Sequence, residues 1–488
     1  MEASTAPPKA FASATELVAL LRRRAVSSRE LLDSYLHRIA RIALNAVVTV
    51  DAERALAQAD VADAAAARGA WLGPLHGLPV TVKDSLATAG MRTTSGAAQL
   101  AAHVPAHDAV AVARLRAAGA IVFGKTNLPT LAMDAQTFNP VFGTTDNPWD
   151  PALTPGGSSG GSAAALAAGL TGLELGSDIS GSVRTPAHCC GVYAHKPSHG
   201  IIPIRGHIPP WPPDDLRNYD LADVGPLARS AGDLMLALDV LAGPDDATAV
   251  GWRLQLPPPR HGALRGYRVA TWFDDVDGPI NDEVRVLLEG AVTALRTAGA
   301  TVTALASPPT ALGPHARMAQ RLLQGEICED LPAPAYARLL EIADRSDAGD
   351  ASPRVRWARD VTARKREWNE ADSQRQHLRR RWAGVFSDHD VVLTPVLPVP
   401  AFPHDHRPSD ERRIIVNGVA RPYWEMLNWP VLANVAYLPA TAAPIGHTAA
   451  GLPVGMQIIG PYLEDRTAIA FAAHLARLVG GFTPPPVG

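Results

Sequence analysis

Hydrophobic positions near the start of the chain recur at helical spacing. Two capping pairs, Ser13 with Glu16 and Ser27 with Glu30, each stand ahead of such a stretch. A serine side chain accepts a hydrogen bond from the first helical turn, and a glutamate three residues later returns one. The pattern therefore predicts two helices within residues 13–40.

Further along, the hydrophobic pattern changes to short runs rich in β-branched residues. Residues 78–82 and 121–124 are such runs, and they predict buried strands. Residues 108–118 and 162–170 have helical composition. Alternation of strands and helices predicts an α/β fold.

The longest uncharged stretch, residues 426–463, contains no Asp, Glu, Lys or Arg. That length is enough to span a membrane. Prolines divide it into short pieces, however, and a proline cannot continue a helix without breaking its hydrogen bonds. The stretch therefore predicts buried strands and turns of a sheet.

Residues 316–382 have a mostly helical pattern, and 354–382 are strongly basic. A solvated helical face, with Trp357, Val361 and Trp368 turned inward, accounts for the basic part better than a nucleic-acid site does. The formal net charge of −3 over 488 residues gives no reason to expect binding to nucleic acid or to anionic membranes.

Cysteine usage and the first residues bear on the compartment. The chain has three cysteines, Cys189, Cys190 and Cys328, and an odd number with two adjacent does not suggest a disulfide framework. The N-terminal residues lack the basic start and apolar run of a signal peptide. We therefore expect a cytoplasmic protein.

Lysine is rare in this chain, because arginine supplies most of the 45 cationic side chains. A lysine can lose its proton when it is buried, whereas an arginine effectively cannot. Each lysine is therefore a candidate for a special role, although Lys9 and Lys365 need no such explanation. The lysines are Lys9, Lys83, Lys125, Lys196 and Lys365.

The first segment with possible chemistry is GLPVTVKD at 77–84, in which Lys83 ends an apolar strand. Burial disfavours the charged ammonium, so such a lysine can act as a base near neutral pH. A lysine paired with Asp84 or reaching solvent is the simpler interpretation of this segment taken alone.

The second segment is PGGSSGGS at 155–162, which runs directly into an alanine-rich helix. Glycine permits backbone angles that other residues resist, so the loop backbone can come close to a reacting group. A Gly/Ser loop before a helix can also bind phosphate. The Walker pattern needs a lysine in that loop, and this loop has none.

The third segment is GSDISGSVR at 176–184. Ser180, Gly181 and Ser182 lie in a small-residue turn after a strand-like run. Successive backbone N–H groups in such a turn can point at one oxygen, as an oxyanion hole requires. An ordinary tight turn is the alternative.

Together the three segments resemble those of the amidase signature hydrolases. The matching residues are Lys83, Ser158 and Ser182, and the two serines stand 24 positions apart, as the family pattern requires. The resemblance covers nearly the whole chain and is weakest over about 250–380. It includes QTFNPVFGTTDNPWDP at 136–151, DVGPLARSAGD at 223–233, DVVLTPVLPVPAF at 390–402 and LPATAAPIGHTAAGLPVGMQIIG at 438–460.

The resemblance implies an α/β fold with a large, mixed, twisted β-sheet covered by helices on both faces. It implies one domain over 1–488, with a helical N-terminal segment at 1–70 and the signature core at 71–240. A variable helical region at about 310–385 is expected to line the substrate pocket.

The resemblance also implies the chemistry, which is hydrolysis of a carboxylic amide through an acyl-enzyme. Ser182 is the expected nucleophile. Ser158, on a cis peptide bond, is expected to pass the proton, and neutral Lys83 to be the final base. A serine hydroxyl is a weak nucleophile until a base takes its proton, and Ser–Lys triads need no histidine.

The backbone N–H groups of Ile179, Ser180, Gly181 and Ser182 are expected to form the oxyanion hole. Ser180 is a departure, because the family usually has glycine there, but its N–H is still available. Its hydroxymethyl group is expected to restrict the acyl groups accepted. Supporting roles, rather than roles as acid or base, are expected for Asp178, Arg184 and Ser159.

Rival hydrolase interpretations fit less well. Residues 157–161 satisfy G-x-S-x-G, which makes Ser159 the nucleophile of an α/β-hydrolase elbow, but that elbow needs a strand directly before it. The β-lactamase pattern S-x-x-K is absent from the sequence.

A metal centre formed by histidines and cysteines within residues 188–199 is a further alternative. The spacing of these residues along the chain fits no familiar zinc pattern. We expect no metal and no cofactor. The residues that suggest it are His188, Cys189, Cys190, His195 and His199.

Two non-hydrolase interpretations stay open. The family includes one component of a tRNA-linked amidotransferase, which works only with its partners, and the chain could instead be a catalytically silent binding relative. The intact triad argues against silence. A homodimer is the default expectation for the assembly.

The substrate is expected to be a small hydrophobic or aryl amide, with esters and carbamates as further candidates. The expectation rests on aromatic and apolar residues in the variable parts of the chain, including the Pro-rich loop at 203–216. The expected pocket residues are Gln136, Trp211, Tyr423 and Trp429.

Overall fold

The computed structural model describes residues 9–210, 218–328 and 331–486. The helices are α1 Ala14–Arg22, α2 Ser28–Arg41, α3 Ala52–Ala67, α4 Val110–Ala117, α5 Gly160–Ala167, α6 Arg184–Cys190, α7 Ala231–Leu241, α8 Asp246–Ala249, α9 Asp282–Thr297, α10 Leu312–Ile327, α11 Ala333–Arg345, α12 Pro353–Val361, α13 Lys365–Asp388, α14 Val431–Val435 and α15 Asp465–Val479. None of the helices in these ranges is long and apolar enough to cross a membrane.

Most strands belong to one mixed sheet. The strands are β1 Val47–Val50, β2 Pro79–Lys83, β3 Ile121–Thr126, β4 Phe138–Asn139, β5 Gly143–Thr144, β6 Glu174–Asp178, β7 Tyr193–Lys196, β8 Asp223–Ala228, β9 Arg268–Thr271, β10 Thr301–Ala304, β11 Val391–Pro395, β12 Arg413–Val416, β13 Val419–Pro422, β14 Ala440–His447 and β15 Pro453–Ile459. Over the described residues the sheet has eleven strands in the order β1-β3-β2-β6-β8-β7-β14-β15-β11-β9-β10. The pairs β4–β5 and β12–β13 are separate two-stranded ribbons.

The sheet contains both parallel and antiparallel pairs. Strand β2 runs parallel to β3 and to β6, and β9 runs parallel to β10 and β11. The strands between these two groups pair antiparallel. The fold class expected from the resemblance, a large mixed sheet with helices, is confirmed.

Hydrophobic side chains are buried on both faces of the sheet. Successive residues of a strand point to opposite faces. Tyr193 accordingly packs in one core cluster with Leu234 and Phe471 of α7 and α15, while Ala194 packs in another with Ala164 of α5. The helices therefore cover the sheet from both sides.

The N-terminal helices agree with their sequence signals. Both capping boxes form, with Ser13 accepting from the Glu16 N–H and Ser27 from the Glu30 N–H. Strands β2 and β3 likewise fall on the two predicted apolar runs, near residues 78–82 and 121–124.

Two expectations about local structure are wrong. Trp357 is not turned inward: 41% of it is exposed, and its indole N–H donates to Gln324. The uncharged stretch at 426–463 contains a helix, α14, besides the predicted strands. Its prolines did not prevent this, because Pro430 directly precedes the helix, where a proline removes no helical hydrogen bond.

Candidate active site

Lys83 reaches the site from the end of β2. Strands β2 and β6 are parallel neighbours, with Val82 opposite Leu175. The carboxyl ends of parallel strands meet at one edge of a sheet, where open α/β sheets bind their ligands. Lys83 and the turn that follows β6 therefore lie side by side.

Ser158 lies in the Gly/Ser loop that leads into α5, and the Gly157–Ser158 peptide bond is cis. Neighbouring backbone leaves no room for a Cβ at Gly157 in this loop or at Gly161 in the first turn of α5. A Cβ at Gly157 would lie 2.7 Å from the carbonyl carbon of Ala135, and one at Gly161 would lie 2.4 Å from the nitrogen of Asn127. Glycine is therefore required for the loop to pack this closely.

Ser182 lies in the turn between β6 and α6. Its carbonyl oxygen accepts a hydrogen bond from the backbone N–H of Ser159 at 3.0 Å, which joins this turn to the loop that carries Ser158. Ser182 is half-buried, whereas Ser158 and Ser159 are buried. Ser182 is therefore the most accessible of the three serines.

The Lys83 amine contacts two hydroxyl groups. Its Nζ lies 2.6 Å from the Ser158 Oγ and 3.0 Å from the Ser177 Oγ. Burial lowers the pKa of Lys83 to about 7, although the negative charges of Asp178 and Glu174 oppose that shift. A neutral amine is therefore available near neutral pH beside the Ser158 hydroxyl.

A buried ion pair shapes the turn that carries Ser182. Arg184 donates to both carboxylate oxygens of Asp178, at 2.8 and 3.0 Å, and Asn434 donates to the same carboxylate. Burial alone would raise the pKa of Asp178, but the charge and hydrogen bonds of Arg184 hold it well below its usual range. Asp178 is therefore a fixed anion that orders the turn.

The same carboxylate changes the expected oxyanion hole. The Gly181 N–H donates to the Asp178 Oδ1 at 2.7 Å, so it is not free for a substrate oxygen. Within the described ranges, no group accepts a hydrogen bond from the N–H of Ile179, Ser180 or Ser182. These three N–H groups, including that of Ser180, are the available donors.

The three expected pocket residues that the structure describes, Gln136, Tyr423 and Trp429, are all buried. Gln136 is buried and exchanges hydrogen bonds with the Asp405 backbone, and the Tyr423 hydroxyl donates to Asp134 at 2.6 Å. Trp429 is a correction: it is fully buried against Trp272 and donates to a backbone carbonyl, so it belongs to the core.

Trp211, the remaining expected pocket residue, lies outside the described residues.

Ser159 does not have the surroundings of a nucleophile elbow. Its Oγ is buried and lies 3.4 Å from the Ser177 carbonyl oxygen. A Cβ at Gly176 would lie 2.7 Å from that Oγ, so the glycine makes room for the serine. The residues between β5 and α5 form no strand.

The histidines and cysteines proposed as a metal centre have separate partners. His188 contacts the Val399 carbonyl, His195 contacts Asp465 and His199 contacts Asp223. Among the described residues, no group of three or more His, Cys, Asp or Glu is placed to hold a metal ion.

Three residues at the site went unrecognised in the sequence. Ser177 contacts Lys83, His207 contacts Ser177 at 2.9 Å, and Glu174 lies buried on β6. Burial raises the pKa of Glu174 to about 7. An acid between two leucines was a signal for Glu174, whereas His207 lies in a distant loop and gave none.

Comparison with known proteins identifies the family. The sequence model of the amidase family matches residues 30–469. The glutamyl-tRNA(Gln) amidotransferase A-subunit of Thermosynechococcus vestitus is 33% identical over 472 residues, which cover 93% of this chain and 95% of that protein. The chain therefore belongs to the amidase signature family.

Solved structures agree with this assignment. A protein from a vestigial complex that reveals the origins of an s-triazine catabolic enzyme has a TM-score of 0.80 at 28% identity, over 97% of this chain and 100% of that one. A bacterial aryl acylamidase of the amidase signature family has a TM-score of 0.79 at 25% identity, over 96% of each chain. The chain is an enzyme of this family acting on carbon–nitrogen bonds.

Proposed function

We propose that the chain cleaves a carboxamide C–N bond with Ser182 as nucleophile, Ser158 as proton relay and Lys83 as base. The Ser182 oxygen attacks the carbonyl carbon while its proton passes to Ser158, and the Ser158 proton passes to Lys83. The negative oxygen that forms is stabilised by the N–H groups of Ile179, Ser180 and Ser182.

The proton then returns along the same route. Lys83 gives it to Ser158, which passes it to the departing nitrogen, so ammonia or an amine leaves and an ester on Ser182 remains. Water, deprotonated through the same residues, attacks that ester and releases the carboxylic acid. The enzyme is regenerated with all protons in place.

The contact between Lys83 and Ser158 carries this proposal. The two groups are 2.6 Å apart and both are buried, so the proton can pass between them over a short distance that is shielded from bulk water. A pKa near 7 for Lys83 matches the requirement that a general base titrate near the working pH.

An amidotransferase-type role is the first candidate setting for this chemistry. It is favoured by relatives such as the T. vestitus amidotransferase protein, which aligns over nearly its whole length. In that setting a primary carboxamide is the substrate, ammonia is the leaving group, and partner proteins take part in using it.

A free-standing hydrolase of hydrophobic or aryl amides is the second candidate. It is favoured by the likeness to the bacterial aryl acylamidase. In this setting the chain needs no partner, and esters or carbamates with similar carbonyl groups are further substrates.

Labelling with a fluorophosphonate probe tests the triad without knowledge of the substrate. We expect the label on Ser182, as located by peptide mass spectrometry, with labelling abolished in Ser182→Ala and slowed in Lys83→Ala. A label on Ser159, or none on the folded protein, would contradict the proposal.

A second assay separates the two settings. The purified chain is incubated with primary amides, including L-glutamine, and with anilides, and released ammonia and aniline are measured. Rapid anilide turnover by the chain alone supports the free-standing hydrolase. Ammonia release that rises only when candidate partner subunits are added supports the amidotransferase role.

A further inference from the structure

His207 lies in the Pro-rich loop and is held beside the site by its neighbours. The Gly206 carbonyl accepts from the Ala87 N–H at 2.8 Å, and the Ile208 N–H donates to the Ser85 carbonyl at 2.7 Å. A Cβ at Gly206 would lie 2.5 Å from the Cα of Ala109, so only glycine allows this approach. The backbone contacts of residues 206–208 therefore fix the position of the His207 imidazole beside the site.

The hydrogen bonds of His207 define which ring nitrogen carries the proton. Its Nδ1 lies 2.7 Å from the Pro209 carbonyl oxygen, which can only accept, so Nδ1 is the donor. Burial and the nearby Lys83 lower the pKa of His207 to about 4, so the ring is neutral at pH 7. Its Nε2 therefore has no proton and accepts a hydrogen bond from the Ser177 hydroxyl, 2.9 Å away.

The Ser177 hydroxyl has a single proton, and it donates this proton in its hydrogen bond to His207. The Ser177 oxygen is then an acceptor toward Lys83, whose Nζ lies 3.0 Å away. A neutral lysine has two N–H donors and one lone pair. With one N–H directed to Ser177, the lone pair is left for the Ser158 hydroxyl at 2.6 Å.

We propose that His207 is a positioning residue that, through Ser177, keeps the lone pair of Lys83 directed at Ser158. This inference rests on the proposed function of the triad. Without His207, the Ser177 hydroxyl is free to turn and donate to Lys83 itself. That arrangement occupies the lone pair and competes with proton transfer from Ser158.

The effect on activity has a defined direction in pH. When His207 is lost, the Ser177 hydroxyl can donate to the neutral Lys83 amine and stabilises it. The Ser177 oxygen then accepts less well from the charged Lys83, so the pKa of Lys83 falls. In His207→Phe we therefore expect the rate of Ser182 labelling at high pH to fall about tenfold, the size expected for one hydrogen bond. The acid limb of the profile should move to lower pH.

The experiment measures the rate of fluorophosphonate labelling of Ser182 against pH in the full chain. His207→Gln, whose carbonyl oxygen can accept from Ser177, should recover part of the rate. His315→Phe is the control, because His315 is also buried but contacts the Val431 carbonyl rather than the site. Its acid limb should stay in place.

A double-mutant comparison separates positioning from damage to the fold. In a Ser177→Ala background no hydroxyl competes for Lys83, so His207→Phe should change the labelling rate by less than about twofold. An equal loss in both backgrounds, or an unmoved acid limb, would overturn the inference. If His207→Phe does not fold, His207→Leu, which also lacks an acceptor for the Ser177 hydroxyl, gives the same comparison in the two backgrounds.

The two proposals fail in different ways. If the wild-type chain is not labelled on Ser182, the triad itself is wrong. If Ser182 is labelled but the His207 variants keep the wild-type rate and profile, the triad stands and the role of His207 is wrong.

Discussion

Lys83 differs from the other buried lysines in what surrounds its amine. The Lys196 amine lies 2.7 Å from the Asp223 carboxylate and forms a buried ion pair with it. Lys125 donates to the Leu86 carbonyl as well as to two threonines. Among the described residues Lys83 contacts only the hydroxyls of Ser158 and Ser177, which can also donate. It is therefore the buried lysine best placed to exchange a proton.

The first prediction concerns the identity of this base. Arginine keeps the positive charge but cannot accept the proton, so Lys83→Arg should lose activity nearly as far as Lys83→Ala, by about 10²–10⁴-fold. The rate of Ser182 labelling measures this. The matched control is Lys365→Arg, at an exposed position, which should label at the wild-type rate. Near-normal labelling of Lys83→Arg would refute the assignment.

The second prediction concerns pH. Lys83 must be neutral to act, so the labelling rate should rise with pH through about 7. The negative charge of Glu174 raises the pKa of Lys83, and Glu174→Gln should therefore move this rise to lower pH. Glu283→Gln, at an exposed position on α9, should leave it in place. A shift to higher pH in Glu174→Gln would contradict the electrostatic argument.

Single residues mark the limit of what the sequence could predict about the site. The resemblance to the amidase signature motifs indicated Lys83, Ser158 and Ser182, which the fold brings to one edge of the sheet. The hydrogen bond from Gly181 to Asp178 could not be predicted, because it depends on the backbone angles of the turn. His207 reaches the site only through a long-range contact between loops.

At the scale of elements, α5 shows how an alanine-rich helix can begin with two glycines. All of its residues are buried, and its first turn packs against the backbone near Asn127. Helix propensity alone disfavours glycine there. Close packing decides instead, and it brings the serines before the helix into the site.

The third prediction tests that packing with two glycines in helices. Gly161→Ala places a Cβ 2.4 Å from backbone and should destabilise the protein by more than about 1 kcal/mol. Gly290→Ala, in α9, meets nothing within 4 Å and should stabilise it by about 0.8–1 kcal/mol. Urea unfolding at pH 7 measures both. Equal effects of the two substitutions would mean that packing around α5 is not limiting.

Elements were predicted well where local signals and burial agree. Helices α1 and α2 have capping boxes and amphipathic spacing, and β2 has an apolar run, so the fold reinforces each local preference. The errors at Trp357 and α14 have another origin. Which face of α12 is covered depends on how α10 to α13 pack together, and that is not encoded in the spacing of α12 alone.

At the scale of the whole molecule, the site depends on the packing of helix α6 against the loop before α5. Helix α6 follows the Ser182 turn and carries Cys189 and Cys190, both fully buried. The Cys190 thiol contacts the Pro155 carbonyl in the loop that carries Ser158. The two serine-bearing segments and these cysteines therefore form one packed unit.

The last prediction follows from that unit. Burial raises the pKa of Cys189 to about 12, so its thiol is neither exposed nor ionised in the folded protein. Iodoacetamide should modify Cys189 and Cys190 at least about 10³-fold more slowly than in the unfolded chain, since reaction must wait for unfolding against a stability of about 5 kcal/mol or more. Mass spectrometry of the α6 peptide, with Ser182 labelling in parallel, measures both. As urea is added, cysteine modification should rise as Ser182 labelling falls. Rapid modification of these cysteines with full labelling of Ser182 would show that α6 opens independently of the site.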